Sequence, residues 1–237
     1  MITFAIPMAP KSRCDYWDHA MDNFEVTLRS MVRQTDKSFT VVIAKTKGDG
    51  KLPSFVNDFA EKEVCTIIIT EVEDSGEFSS DKDNKTLSML EIHKALGNKY
   101  FLRTDWDDIF HRDLVKWVVN NENEYGFIIT DGYFYRPGDH SVIPCSPWFM
   151  YCGSCHLVNY SDDELKNGVH HPDKFKFHHQ HIHEYRHKIG RPLQTIPISV
   201  GLYAVTGKNI STPKHERILA DKEWFKMSDE LKEEYNL

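Results

Sequence analysis

Four short runs rich in β-branched and aromatic residues, at 3–6, 40–44, 66–71 and 100–103, alternate with helix-forming stretches through the first half of the chain. This alternation is the pattern of an α/β domain with a largely parallel sheet, because parallel strands need helical crossovers between them. Residues 22–34 carry Phe24, Val26, Leu28, Met31 and Val32 at near-helical spacing, with Asp22 placed to cap the helix. Residues 83–96 form a second helix that buries Leu87, Leu90, Ile92 and Leu96 and ends where Gly97 accepts a left-handed conformation.

The second half is less regular. A helix at 114–119 and a strand at 126–130 lead into an aromatic stretch, GYFYRPGDHSVIPCSPWFMYCGS, whose prolines and strand-formers predict hairpins and loops walling a cleft. A histidine-dense helix at 177–188 and a strand at 193–197 follow. The domain is expected to span residues 1–212. The amphipathic tail 213–237, with Trp224, Phe225, Met227 and Leu231 on one face, is expected to pack as terminal helices on the domain or on a second copy in a homo-oligomer.

At 237 residues the chain suits one substantial domain, and its formal charge of −7 argues against nucleic acid as a partner. No run approaches the ~18 apolar residues of a membrane span, and the N-terminus enters a strand without a charged leader. A cytoplasmic protein, free or peripheral to a membrane, is the expectation. Cys14, Cys65, Cys145, Cys152 and Cys155 are an odd number and supply no four-ligand zinc pattern; the single CxxC reads as two thiols in a reduced protein.

The fourth strand run leads into YFLRTDWDDIF, which sets Asp105, Asp107 and Asp108 at the strand's carboxyl end, where open α/β sheets place their ligands. In an extended chain Asp105 and Asp107 face one side and Asp108 the other. Two convergent carboxylates repel unless a hard divalent cation or an Arg or Lys sits between them. Asp108 can instead cap a helix starting near Phe110.

FAIPMAP, then LRSMVRQTDKSFTVVIA, then LRTDWDD, taken in that order, resemble a glycosyltransferase of the GT-A fold, of the family-two type and near its rhamnosyltransferase branch. Ser30, Gln34 and Thr35 stand in the family's Ser-x-x-x-Gln-Thr pattern, and Arg103 lies two residues before the first Asp as in that branch. The likeness covers most of residues 1–211. It implies a nucleotide-sugar donor, with a deoxyhexose as the first to try, and a glycan or other hydroxyl acceptor. A Mn2+ or Mg2+ ion held by Asp105 and Asp107 would neutralise the departing diphosphate as a Lewis acid. Pro7, Ala9 and Arg13 in the loop after the first strand would line the nucleotide pocket. Arg13, Lys85, Arg103 and the metal-bearing Asp105 would face the diphosphate, and Asp74 the base or ribose.

Two departures stand out. The family's Glu-Asp pair, one carboxylate of which deprotonates the acceptor, would fall near His179 and Gln180 counting back from Gly190. His179 is expected to replace it, since imidazole titrates near neutral pH, with Asp173, His178 and His181 as alternatives. A base opposite the leaving group gives inversion, and His179 and Asp108 are the expected catalytic residues. Related chains also place a metal-reaching histidine where Thr206 stands in VTGKNIS, so the ion would rely on Asp105, Asp107, phosphate and water, or on a histidine of the cluster, with Asn209 and Ser211 helping to close the pocket.

Seven of the 13 histidines lie between His170 and His187. His179, His183 and His187 are spaced for one helical face, which allows a zinc site; a solvated polar helix accommodates them equally. Tyr133, Tyr135, Trp148 and Phe149 could stack on acceptor sugars, and Asp139 and His140 could hydrogen-bond their hydroxyls. Two rival functions remain. One is a nucleotidyltransferase acting on sugar phosphates, weakened because MAPKSR lacks glycine; the other is a non-catalytic carbohydrate-binding protein on a decayed transferase fold.

Overall fold

The computed structural model describes residues 1–63, 65–166, 179–206 and 219–237. Four parallel strands form its centre: β1 (Ile2–Pro7), β2 (Phe39–Thr46), β3 (Thr66–Val72) and β4 (Tyr100–Arg103). Every residue of β1 and β2 is buried, as expected of strands covered on both faces. Strand β9 (His156–Val158) runs antiparallel between β4 and β6 (Gly126–Ile129), and β10 (Gln194–Ile196) pairs parallel with β6. The order is β10-β6-β9-β4-β1-β2-β3.

Helix α1 (Trp17–Val32) covers one face, packing Phe24, Leu28 and Met31 against Phe4, Ile6 and Ile43. Helix α3 (Phe78–Leu96) covers the other, where Ala5, Val42, Ala44 and Phe101 meet Met89 and Leu90. Between them lies α2 (Phe55–Lys62), and α4 (Leu114–Asn120) follows the acidic stretch. Both long helices start upstream of the expectation. Buried Ala20 and Met21 continue the apolar stripe of α1, so Asp22 lies exposed inside the helix and caps nothing. In α3 the inward face includes His93, bonded to Thr3 Oγ1 at 2.8 Å, while Leu87 and Leu96 are exposed. A polar residue on the buried side shifted the apparent stripe. Gly97 ends α3 at φ 65°.

A second sheet has the order β12-β8-β7-β11-β5, built from β5 (Asp108–Phe110), β7 (Gly132–Arg136), β8 (Ser141–Cys145), β11 (Gly201–Ala204) and β12 (Phe225–Lys226). The aromatic stretch supplies its β7–β8 hairpin. Trp148 threads between Gly132 and Gly201, fully buried; a Cβ on Gly201 would lie 2.3 Å from its ring. It is a core residue and does not face an acceptor. The described part of the tail begins at buried Leu219, adds strand β12 to β8 and includes α7 (Asp229–Glu234), after which Tyr235 is buried with its hydroxyl on Ser199 O at 2.8 Å. Short α5 (Asp162–Lys166) and α6 (Ile182–Lys188) are joined by Glu164, which pairs with the buried Arg186 and with Arg191. No helix among the described residues is long and apolar enough to cross a membrane.

Candidate active site

Strand β4 ends at Arg103, and the chain then turns instead of staying extended. Thr104 N donates to Ala5 O at 2.8 Å, Trp106 and Asp107 form the turn, and Asp108 opens β5 in the second sheet opposite Tyr203. The acidic stretch is the hinge between the two sheets. Asp105 and Asp107 are partly exposed, whereas Asp108 is wholly buried.

The two exposed acids and the buried one therefore have different work. Ser154 Oγ accepts the Asp105 N–H at 2.7 Å and donates to Asp108 Oδ2, and Cys152 Sγ approaches the same oxygen at 3.1 Å. Burial, then the nearby charges of Asp107 and Asp105, raises the Asp108 pKa well above the usual carboxylate range, so its protonated form is favoured. Asp108 cannot touch a substrate from this position, and because residues 108–110 are a strand it caps no helix. Where a catalytic Asp108 is expected, the structure holds a side chain sealed beneath the turn with its carboxyl on Ser154 and Cys152.

Two of the expected diphosphate cations are also committed elsewhere. Lys85 is fully buried, and its ammonium donates to Met8 O and Thr46 Oγ1 at 2.6 Å and to Asp81 Oδ2 at 2.7 Å. Two of its protons tie α3 to the ends of β1 and β2, and the third stays within α3 on Asp81. Arg13 and Asp74, assigned separately from sequence, meet each other at 2.5 Å, and Asp81 lies 3.6 Å from the same guanidinium. These contacts fold the loop after β1, with Pro7 buried and Ala9 half-buried, against the loop after β3. Asp49 Oδ2 adds a bond from Lys11 N at 3.1 Å. Arg103 is partly buried; burial raises the pKa values of Asp83, Cys155 and Tyr160, and the Arg103 charge partly offsets that rise.

Several site residues carried no sequence signal. Lys82 Nζ lies 2.5 Å from Asp105 Oδ1. Tyr16 and Tyr203 both feel the Asp107 charge, and Ser154 and Cys152 hold Asp108 from 44 or more residues away in sequence. Only Lys82 was findable, as a helix neighbour of Lys85.

The carboxylates fit a divalent ion in one respect. Asp108 Oδ1 is buried beneath the turn with no hydrogen-bond partner among the described residues, so the acidic turn holds an unused oxygen donor. No group of three or more His, Cys, Asp or Glu side chains among the described residues could by itself hold a metal. Asp105 and Asp107 would supply part of an all-oxygen sphere, and phosphate and water the rest.

On the acceptor side, the side chain of His179, together with Asp173, His178, Asn209 and Ser211, lies outside the described residues. Residues 179–181 form a 3-10 turn that leads into α6, where a continuous helix is expected. Gln180 Nε2 donates to Met150 O at 2.6 Å, and His181 pairs with Glu184 at 3.4 Å. His183 packs on Phe149, with ring centroids 4.5 Å apart, and stacks parallel to His156. Tyr135 bonds His140 at 2.8 Å, and Asp139 pairs with Arg136 and Lys226, so these three are spent within the β7–β8 hairpin and its β12 neighbour.

No protein-family model matches the chain, and no curated protein matches it. Solved structures do. S. aureus TarS 1-349 superposes with a TM-score of 0.57 at 11% identity over 86% of this chain, and its complex with UDP-GlcNAc with 0.53 at 10% over 86%. This chain spans 60% of TarS 1-349. A putative glucose-1-phosphate thymidylyltransferase from Bacillus anthracis superposes with a TM-score of 0.50 at 13% identity, over 95% of this chain and 96% of that one. The parallel β3-β2-β1-β4 core with its antiparallel β9 and helices on both faces is thus a GT-A-type α/β fold, shared with these structures.

Proposed function

We propose that this chain is a metal-dependent glycosyltransferase that moves a sugar from a nucleoside-diphosphate donor to a hydroxyl of a glycan or similar acceptor, with inversion. One observation carries the reading: the solvent-facing pair Asp105 and Asp107 sits at the carboxyl end of β4, braced from beneath by Ser154 and Asp108. TarS, with the same fold, was crystallised with UDP and with UDP-GlcNAc, which supports a nucleotide-sugar donor here.

Asp105 and Asp107 would hold Mn2+ or Mg2+. When bound, that ion would offset the charge developing on the leaving diphosphate. The loop from Pro7 to Arg13, folded down by the Arg13–Asp74 pair, would wall the nucleotide and keep water from the anomeric centre. Arg103 would add positive charge beside the phosphates. His179 is proposed to take the acceptor's proton, the role it has in the sequence reading.

The test is nucleoside-diphosphate release from UDP-sugars and from nucleotide deoxyhexoses with saturating Mn2+ or Mg2+. Turnover that disappears in Asp107→Ala supports the reading; no turnover of any donor, with no effect of that substitution, sinks it. The near-complete mutual coverage with the thymidylyltransferase keeps a second reading in play. Pyrophosphate release from a nucleoside triphosphate and a sugar 1-phosphate would favour that one.

A further inference from the structure

Lys82 and Lys85 are three residues apart on α3 and behave oppositely. Lys85 is sealed in the protein with three acceptors, whereas the Lys82 ammonium is partly exposed, 2.5 Å from Asp105 Oδ1, with Asp105 its one hydrogen-bond acceptor among the described residues. Two of its three N–H donors are left for solvent or ligand. Asp105 in turn has its backbone fixed by Ser154, so the carboxylate is held on the turn while the lysine stem can move.

We propose that Lys82 is an exchangeable counter-cation: it neutralises Asp105 while no ion is bound, gives up that carboxylate when a divalent ion arrives, and turns its ammonium to the donor diphosphate. The inference rests on the reading of the acidic turn as a diphosphate site. Its physical basis is competition. A divalent ion at Asp105 Oδ1 and an ammonium 2.5 Å from the same oxygen repel each other, so they cannot both keep their best geometry. The freed ammonium is short-tethered beside the phosphates, and a compact point charge suits a phosphate oxygen. Arg13 Nη2 already lies on Asp74, with Asp81 3.6 Å away, and Lys85 gives its protons to three acceptors, so moving either cation would cost the loop those bonds.

Lys82→Met keeps the stem and the helix and removes the charge. Mn2+ binding to the nucleotide-free protein, read by the loss of the free-ion paramagnetic signal, should tighten about fivefold in Lys82→Met, an exposed ion pair being worth about 1 kcal/mol at most. UDP binding at saturating Mn2+, read by calorimetry, should weaken by about fivefold or more in the same variant. Lys82→Arg should stay near wild type in the UDP arm, and Lys47→Met, which breaks the exposed Lys47–Glu73 pair, should change neither. Equal or weaker Mn2+ binding in Lys82→Met, or no Mn2+ binding by either protein, overturns the exchange. Unchanged UDP binding at saturating Mn2+ overturns the turn to the diphosphate. If UDP binds to neither protein with or without Mn2+, the glycosyltransferase reading fails, and the Mn2+ arm still decides whether Lys82 competes for Asp105.

Discussion

The Ser154 hydroxyl donates to the Asp108 carboxyl inside the protein, with no solvent reaching either side chain. The same oxygen accepts the Asp105 N–H, so one hydroxyl joins the exposed end of the acidic turn to its buried end. Ser154→Ala leaves the part-buried Asp105 N–H without its acceptor and the buried Asp108 Oδ2 with only a thiol. A loss of about 1–3 kcal/mol in urea unfolding is expected. A loss under about 0.5 kcal/mol would mean that the turn holds itself.

Lys85 and Asp81 form a buried pair 2.7 Å apart, at 0% and 3% side-chain exposure. Removing one partner strands the other's charge, so Lys85→Met should cost about 3–5 kcal/mol. Lys85→Met with Asp81→Asn removes both charges and should recover part of that cost. If the double variant is as unstable as the single one, the bonds to Met8 and Thr46 matter more than the charge pair.

Much of the fold was readable because parallel core strands are continuous apolar runs: β1, β2 and β4 fell within a residue or two of expectation, and Gly97 marked the end of α3. What could not be read were contacts between distant segments. Lys85 looks like a helix surface residue until Met8 and Thr46 are seen above it, and Trp148 looks like a sugar platform until the slot between Gly132 and Gly201 is seen. The acidic stretch was legible in position only. Its turn follows from β5 joining a different sheet, which no local pattern encodes.

His93 gives a pH dependence with a defined sign. Burial, then the N-terminal charge, lowers its pKa from 6.5 to about 4. The unfolded chain therefore binds more protons between those values, and unfolding free energy rises with pH. The stabilisation is complete above pH 6.5 and is lost as pH falls towards 4, by up to about 3 kcal/mol. Urea midpoints at pH 7, 5.5 and 4.5 should converge between wild type and His93→Gln as pH falls. Parallel curves would show that the ring is not the titrating group.

Gly201 faces the Trp148 ring, and an added Cβ would also lie 2.4 Å from its Cη2. A flexible neighbour could give way; a fused ring walled by Gly132 cannot. Gly201→Ala should cost about 1–3 kcal/mol and shift tryptophan emission, and Trp148→Phe should restore part of the loss. No coupling between the two substitutions in a double-mutant cycle would place the strain elsewhere.

Asp107 and Asp108 are neighbours in sequence with opposite surroundings, and substitution should separate them. Asp107 is partly exposed on the turn and feeds negative charge to Tyr16 and Tyr203, while Asp108 is sealed beneath it. Asp107→Asn should leave thermal stability within about 1 kcal/mol of wild type and reduce metal-dependent turnover by about 100-fold or more, since it removes a ligand that acts on charge developing in the transition state. Asp108→Asn keeps a neutral, hydrogen-bonding side chain of the same shape under the turn, so most turnover should survive. Asp108→Ala leaves Ser154 and Cys152 facing a void and should lower stability and turnover together. If Asp108→Asn abolishes turnover while the melting temperature and Mn2+ affinity stay at wild-type values, the buried carboxyl has a chemical role that its position in this structure denies it.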